Sequence, residues 1–471
     1  MSRARQLLAL AWLAGFTLID AGIVSLALPD IADDFDRTIG ELAWVTTGFL
    51  LALAATVLAA GRLSDRFGAR RVLALGALAF FITTLVSGLA PTFELLVAAR
   101  IAQGMAGGAL YTVSLAIAVT AYPPQRRASA IAIYFTSGAL GAVIGPVIGG
   151  LLTDFGGWRL VFLAQLPLPL VVAVAGWLLL PGAGAGRARR FDVAGIAAAS
   201  LFVVAGTFAL LELPESGASV PVVVAALVAI GALAAFVVIE RRADEPAVRL
   251  EIFGNPRFVV ASVAGAAAWF AIMSSTIYPA IYLQLGRGYS ATDAGILLLA
   301  APLVGLVFFP FAGRVVRALG VDLALLAGLG ILLGSALVMT MWGATTGAWL
   351  IVITNLVTGA GIALTLVASA TEALSQFTPE EAGTGSALFN SLRQIGAAMG
   401  VALPAVAFEL VAGGSRDLDA TLNGSSAAFV LRFVVLTIPL ILLMVVRRQQ
   451  PQRHAPSAVS HACLGPADVV R

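Results

Sequence analysis

Long apolar runs, broken by short polar stretches, repeat along nearly the whole chain. A helix needs about 20 mostly apolar residues to cross the hydrocarbon core of a bilayer. By that measure the pattern predicts fourteen spans, at 7–29, 41–61, 71–90, 93–121, 128–152, 159–180, 193–213, 219–239, 258–283, 292–313, 321–342, 346–371, 384–411 and 427–446. The intervening segments are too short to fold alone. The expectation is an all-α polytopic membrane protein whose work is done inside the bilayer.

Arginine placement orients the spans, because inner loops carry the excess of positive charge. With the N-terminus inside, the inner loops and termini hold 21 arginines and the outer loops four, Arg37, Arg159, Arg287 and Arg416. That split places both termini in the cytoplasm and favours an even number of spans. Composition fits: 60% of residues are hydrophobic and 11% charged, against about 25% charged in soluble domains. Arg3 and Arg5 precede an apolar stretch reaching Leu28, too long for a signal-peptide core, so the first span is expected to remain. Cys463, His454 and His461 all lie in the polar tail, which leaves the apolar body without His or Cys metal ligands and excludes an internal disulfide. No phosphate-binding GxxxxGK[ST] stretch occurs, so the chain alone is not ATP-driven, and no nucleophile–base cluster suggests an enzyme. The arginines cluster in short loops, not in a patch suited to nucleic acid.

The chain also echoes itself. "LAAGRLSDRFGARRVLALGAL" (58–78) returns more faintly as "PFAGRVVRALGVDLALLAGLG" (310–330), with Gly61 and Gly313 offset by 252, and "RIAQGMAGG" (100–108) returns as "NLVTGAGIA" (355–363), offset by 255. Two parallel halves meeting at a midplane site are an architecture of alternating-access transporters. The predicted organisation is a six-helix bundle over 1–180, a linker with two extra central helices over 181–240, an inner loop and second six-helix bundle over 241–446, and a cytoplasmic tail over 447–471.

These stretches carry a resemblance. "GRLSDRFGARR" (61–71) resembles the loop signature of the major facilitator superfamily between its second and third helices, and "RIAQGMAGGAL" (100–110) its arginine motif in the fourth. "GALGAVIGPVIGGLL" (138–152) is similar to the fifth-helix motif of its antiporters, and "IDAGIVSLALP" (19–29) to the first-helix motif of its fourteen-helix drug:proton antiporter branch. "WRLVFLAQLP" (158–167), "YLQLGRGYSATDAG" (282–295) and "GSALFNSLRQIGAAMGVAL" (385–403) are in the style of the same branch.

Each motif has a physical reading beside a plainer one. Asp20 lies nine residues before Pro29, about 13 Å along a helix, and Arg100 about 10 Å into its span from the same side. The opposite charges sit at similar depth, as a proton switch with Asp20 the carrier and Arg100 its partner, or as a structural ion pair locking two helices. Gly61 and Gly68 are expected to allow a tight loop, Asp65 to cap or pair at a helix end, and Arg66, Arg70 and Arg71 to meet anionic headgroups. The resemblance implies that this loop latches the halves; a topology anchor is the plainer alternative. The echo keeps Gly313, Arg314, Arg317 and Gly320 but no acid, which argues against a symmetric latch. Gly141, Gly145 and Gly149 form a small-residue stripe, Pro146 removes a backbone donor and bends the helix, and Gly149–Gly150 completes the motif. By resemblance it favours antiport; bland packing is the alternative.

Phe16, Tyr134, Tyr278, Asn355, Asn390 and Gln394 are candidate lining of a substrate cavity, although lipid-facing placement is the commoner fate of membrane aromatics. Asn355 stands where the first half has Arg100, Arg393 is a further polar point, and Glu372 and Glu409 fall near span ends. The expected function is proton-coupled export of small amphipathic or cationic compounds, as in multidrug efflux, from the plasma membrane, by a monomer with no cofactor beyond the proton gradient. Export of one particular metabolite is the alternative, and a non-transporting scaffold or sensor a more distant one.

Overall fold

The computed structural model describes residues 3–16, 20–24, 27–36, 39–181, 193–243, 250–289, 291–378, 381–412 and 418–449. Arg37, Arg416, the arginines at 187–190, Arg249 and the tail from 450 onward lie outside them. The helices are α1 (Arg3–Phe16), α2 (Asp20–Val24), α3 (Leu28–Phe35), α4 (Ile39–Phe67), α5 (Ala69–Gly88), α6 (Phe93–Thr120), α7 (Pro124–Leu163), α8 (Pro167–Leu179), α9 (Val193–Ser216) and α10 (Val220–Arg242). They continue as α11 (Pro256–Gln284), α12 (Ala291–Leu298), α13 (Ala300–Leu319), α14 (Val321–Thr340), α15 (Ala348–Ser375), α16 (Ala382–Ala412) and α17 (Leu418–Gln449).

Among the described residues, every predicted span contains helix. In those same described residues, twelve helices are long and apolar enough to cross a membrane, and Ala194–Leu210 is a shorter apolar one. The first predicted span is shared among α1, α2 and the start of α3. The boundary expected near 153–158 is a break at Gly156 and Gly157, where Gly157 takes a φ of 71°, a backbone region in which a Cβ is strained.

The helices before α9 pack among themselves, as do α11 to α17. The two groups touch through α7 against α13 and α15, and through α16 against α4 and α6. Between them α9 lies on both α4 and α16, and α10 lies on α9. Only 17% of the α10 span is buried, and its Val220, Leu227 and Ile230 are exposed, as suits a helix whose outer face meets lipid.

The internal echo corresponds to a repeated contact. A Cβ on Gly104 would lie 2.2 Å from the Phe49 carbonyl oxygen, and one on Gly359 would lie 2.3 Å from that of Ala301. The missing side chains let α6 lie against α4, and α15 against α13, closer than any larger residue permits. Gly68 and Gly320, aligned by the same echo, both take positive φ (87° and 79°) at the turns into α5 and α14.

Candidate functional site

The opening of α2 puts Asp20 against α6, and the structure brings it together with Arg100; both side chains are fully buried. One guanidinium nitrogen of Arg100 donates to Asp20 Oδ2 and, at 2.6 Å, to Gln103 Oε1, while its Nε donates to the Val45 carbonyl at 3.0 Å. Gln103 in turn donates to Asp20 Oδ1 at 3.2 Å and to Thr84 Oγ1 at 2.8 Å. The Phe49 ring lies 4.4 Å from the guanidinium carbon. Four helices thus meet in one hydrogen-bonded cluster around this pair. Gln103 and Thr84 were not anticipated, though the three-residue spacing from Arg100 to Gln103 puts both on one helix face.

An aspartate or arginine at mid-membrane costs about 2.5–3.5 kcal/mol on insertion scales. Removing one member of a buried pair costs about 3–5 kcal/mol, because the other is left uncompensated. The chemistry open to such a pair is protonation of the acid, which removes one charge and releases the other.

The 61–71 stretch differs from expectation in one respect. Gly61 is not in the loop: it lies inside α4, where a Cβ would meet Ala387 Cβ at 2.5 Å and the Gly383 carbonyl at 2.6 Å. Its smallness serves close packing of α4 on α16, and the turn itself falls to Gly68. Asp65 accepts from the backbone N–H groups of Gly383 (2.9 Å) and Thr384 (2.8 Å) and from the Thr384 hydroxyl. It therefore caps the first turn of α16, a helix of the other bundle, where an anion is favoured. Arg70 stacks over Trp177 of α8 at 4.2 Å, Arg66 lies 5.3 Å from the Phe67 ring, and Arg71 is exposed.

In α7, a Cβ on Gly149 would lie 2.5 Å from the Ile23 carbonyl, so the stripe seats α2. Gly141 and Gly145 are buried and Gly150 is half-buried; the side chain of Pro146 lies outside the described residues. In the second bundle, Gly396 and Gly400 admit the Ala266 and Phe270 carbonyls of α11 in the same way, at 2.1 and 2.5 Å.

The candidate cavity residues separate into two kinds. Phe16 stacks on Trp12, the Tyr134 hydroxyl bonds Ser114, the Tyr278 hydroxyl donates to the Val401 carbonyl, and Asn355 Nδ2 donates to Ile351 of its own helix. These are packing roles within one bundle. Asn390 and Gln394 instead flank Arg393, which is 1% exposed and rings itself with aromatics from both bundles: Trp269 at 5.0 Å, Phe135 at 5.1 Å, Phe389 at 5.4 Å and Tyr111 at 5.7 Å. Asn390 Oδ1 accepts from Arg393 at 2.8 Å, and its Nδ2 reaches the Tyr111 carbonyl at 3.4 Å. A third arginine, Arg432, is fully buried in α17 against Met339. Simple subtraction could have found it. Of 28 basic residues, all arginine, 25 fall in loops and termini, which leaves Arg100, Arg393 and Arg432 inside spans.

The profile of the Major Facilitator Superfamily matches residues 10–401. The chain is 32% identical over 409 residues to the multidrug resistance protein Stp of Mycobacterium tuberculosis, covering 86% of this chain and 76% of that one. It is 31% identical over 403 residues to the tetracenomycin C resistance and export protein of Streptomyces glaucescens, covering 84% and 74%. In backbone alone it is similar to the crystal structure of the human organic anion transporter MFSD10, with a TM-score of 0.69 over 94% of this chain and all of that one at 15% identity. A profile match running from the first helix into α16, on two packed bundles, means that this multi-pass membrane chain belongs to the Major Facilitator Superfamily and is a transporter, not an enzyme.

Proposed function

We propose that the chain is a proton-coupled exporter working by alternating access, an antiporter of small amphipathic or cationic compounds at the plasma membrane, with both termini cytoplasmic. The observation that carries the reading is the fully buried Asp20–Arg100 pair. An apolar contact would join the same helices without burying two charges, so a carboxylate there suits a task that needs its charge to change. A proton arriving from outside neutralises Asp20 and frees Arg100; its release to the cytoplasm restores the pair, and substrate moves the other way between those events. One proton crossing 100 mV releases about 2.3 kcal/mol, enough for a roughly 50-fold gradient of a neutral substrate. The reading needs no other energy source and no second subunit.

The names of the relatives, one a multidrug resistance protein and one a resistance and export protein, support outward movement. The second of them supports the narrower alternative, a transporter dedicated to one metabolite.

The test is substrate-induced proton movement in inside-out vesicles, for wild type and Asp20→Asn, across a panel of cationic and neutral compounds. Asparagine keeps the size and the hydrogen-bonding edge but cannot carry the proton. The expected outcome is that a panel compound collapses the imposed pH gradient in wild type and that the initial rate falls at least about tenfold in the variant. Equal rates in the two proteins would place coupling elsewhere.

A further inference from the structure

We infer that Arg393, with Tyr111 and Trp269, forms a subsite for an acidic oxygen, a carboxylate or an ionised phenol, on a flat aromatic substrate. The inference rests on the export reading for the direction of movement and narrows its substrates to amphipathic compounds that carry an acidic oxygen, in place of cationic ones.

Arg100 has a carboxylate partner; among the described residues Arg393 has none. A guanidinium cannot shed its proton inside a protein, so this buried charge is permanent. The four ring faces around it attract the cation but accept no strong hydrogen bond from its edge. Its Nε finds no acceptor, and the Tyr111 hydroxyl and the Trp269 indole nitrogen are also buried without a partner. Three donors, one of them the cation's own Nε, thus gather here with nothing to receive them, an arrangement natural proteins rarely leave unfilled.

The place is right for a ligand. Tyr111 and Phe135 belong to α6 and α7 of the first bundle, while Trp269, Phe389 and Arg393 belong to α11 and α16 of the second. Arg432, also without an acid, lies against α14 within the second bundle alone, away from the seam between the halves. An anionic oxygen at Arg393 would take charge-assisted bonds from the guanidinium edge, and an attached ring system would stack among the four side chains. A cationic compound would be repelled beside this guanidinium.

The experiment uses the full chain in lipid nanodiscs and three anthracene probes: anthracene-9-carboxylate, its neutral 9-carboxamide and the cationic 9-aminomethyl compound. Binding is read by fluorescence anisotropy against empty nanodiscs. Wild type is expected to prefer the carboxylate over the carboxamide by at least about tenfold. Arg393→Gln should reduce that preference to about twofold or less with carboxamide binding little changed, and Arg393→Lys should fall between, since it keeps the charge but not the planar fork. No preference in wild type, or an undiminished one in Arg393→Gln, overturns the proposal. If Arg393→Gln does not fold, Tyr111→Phe removes one donor and little volume, and Trp269→Phe removes one donor while keeping an aromatic ring. Each should lower the carboxylate preference about threefold, and an unchanged preference in both overturns it.

Coupling is read separately, from collapse of a pH gradient by the wild type. An Arg393-dependent carboxylate preference in a protein that moves no protons would sink the antiport reading and leave this subsite standing. Proton-coupled export with no carboxylate preference would do the reverse.

Discussion

Gly104 sits where α6 presses on α4, and its hydrogen in place of a methyl group is the condition for that contact. Gly104→Ala would drive a Cβ against the Phe49 carbonyl, backbone that cannot rotate away. Overpacking of this kind costs about 1–3 kcal/mol, and the expected result is a clear fall in thermal midpoint. Gly330→Ala, inside α14 with nothing within 4 Å of the new atom, should be neutral or stabilising by up to about 1 kcal/mol. Equal effects from the two would sink the packing account. At the other kind of residue, Asp34 accepts from Arg159 at 2.7 Å and from Trp158 at 3.0 Å. Those bonds, the Arg159 one foremost, hold its carboxyl below the usual carboxylate value. Its contribution is then present in full above the unfolded-state value and lost as pH falls through the lowered one. The difference in thermal midpoint between wild type and Asp34→Asn should be constant from pH 8 to pH 5 and shrink in stronger acid. A difference that shrinks instead on the alkaline side would contradict that sign. What is local could be read in advance: Asp20 stands out as an acid in an apolar run, and Gly68 as the residue at the turn. Arg393 could not, because its surroundings come from four helices far apart in the chain.

Among elements, α16 joins the halves through polar groups as well as packing. Its first turn is capped by Asp65 of α4, its next turns pack on Gly61 and donate from Ser386 to the Thr112 carbonyl, and its middle carries Arg393. The cap alone is worth about 0.5–2 kcal/mol, enough to move a balanced two-state equilibrium up to about thirtyfold. Spin labels at Gln125→Cys and Thr378→Cys in a Cys463→Ser background would report the separation of the bundles at this end. Asp65→Ala is expected to lengthen that distance in most molecules; an unaltered distribution would mean that the cap does not hold the halves. Sequence alone left Asp65 to cap or to pair at a helix end and could not supply its partner, because Thr384 is 319 positions away and belongs to the other bundle. Gly61 was misplaced for a related reason. A glycine beside polar residues looks like a loop until the opposing helix is known.

For the whole molecule, the spans and the two-fold echo were legible because both are written in strong, local terms. Apolar runs must match the bilayer, and Gly104 and Gly359 must be small for the same contact to form twice. The seam between the halves is not periodic and was the least legible part. It now has a thermodynamic consequence. The aromatic ring around Arg393 is divided, with Tyr111 and Phe135 on one bundle and Trp269, Phe389 and Arg393 on the other. Thr384 and Arg393 are nine positions apart on one continuous helix, about 13 Å at 1.5 Å per residue. A tilt of α16 that releases the cap therefore also pulls the ring apart. Linkage is reciprocal: whatever ligand binds the closed ring better must favour the capped state, and a variant that weakens the cap weakens that ligand in proportion to the closed population it removes.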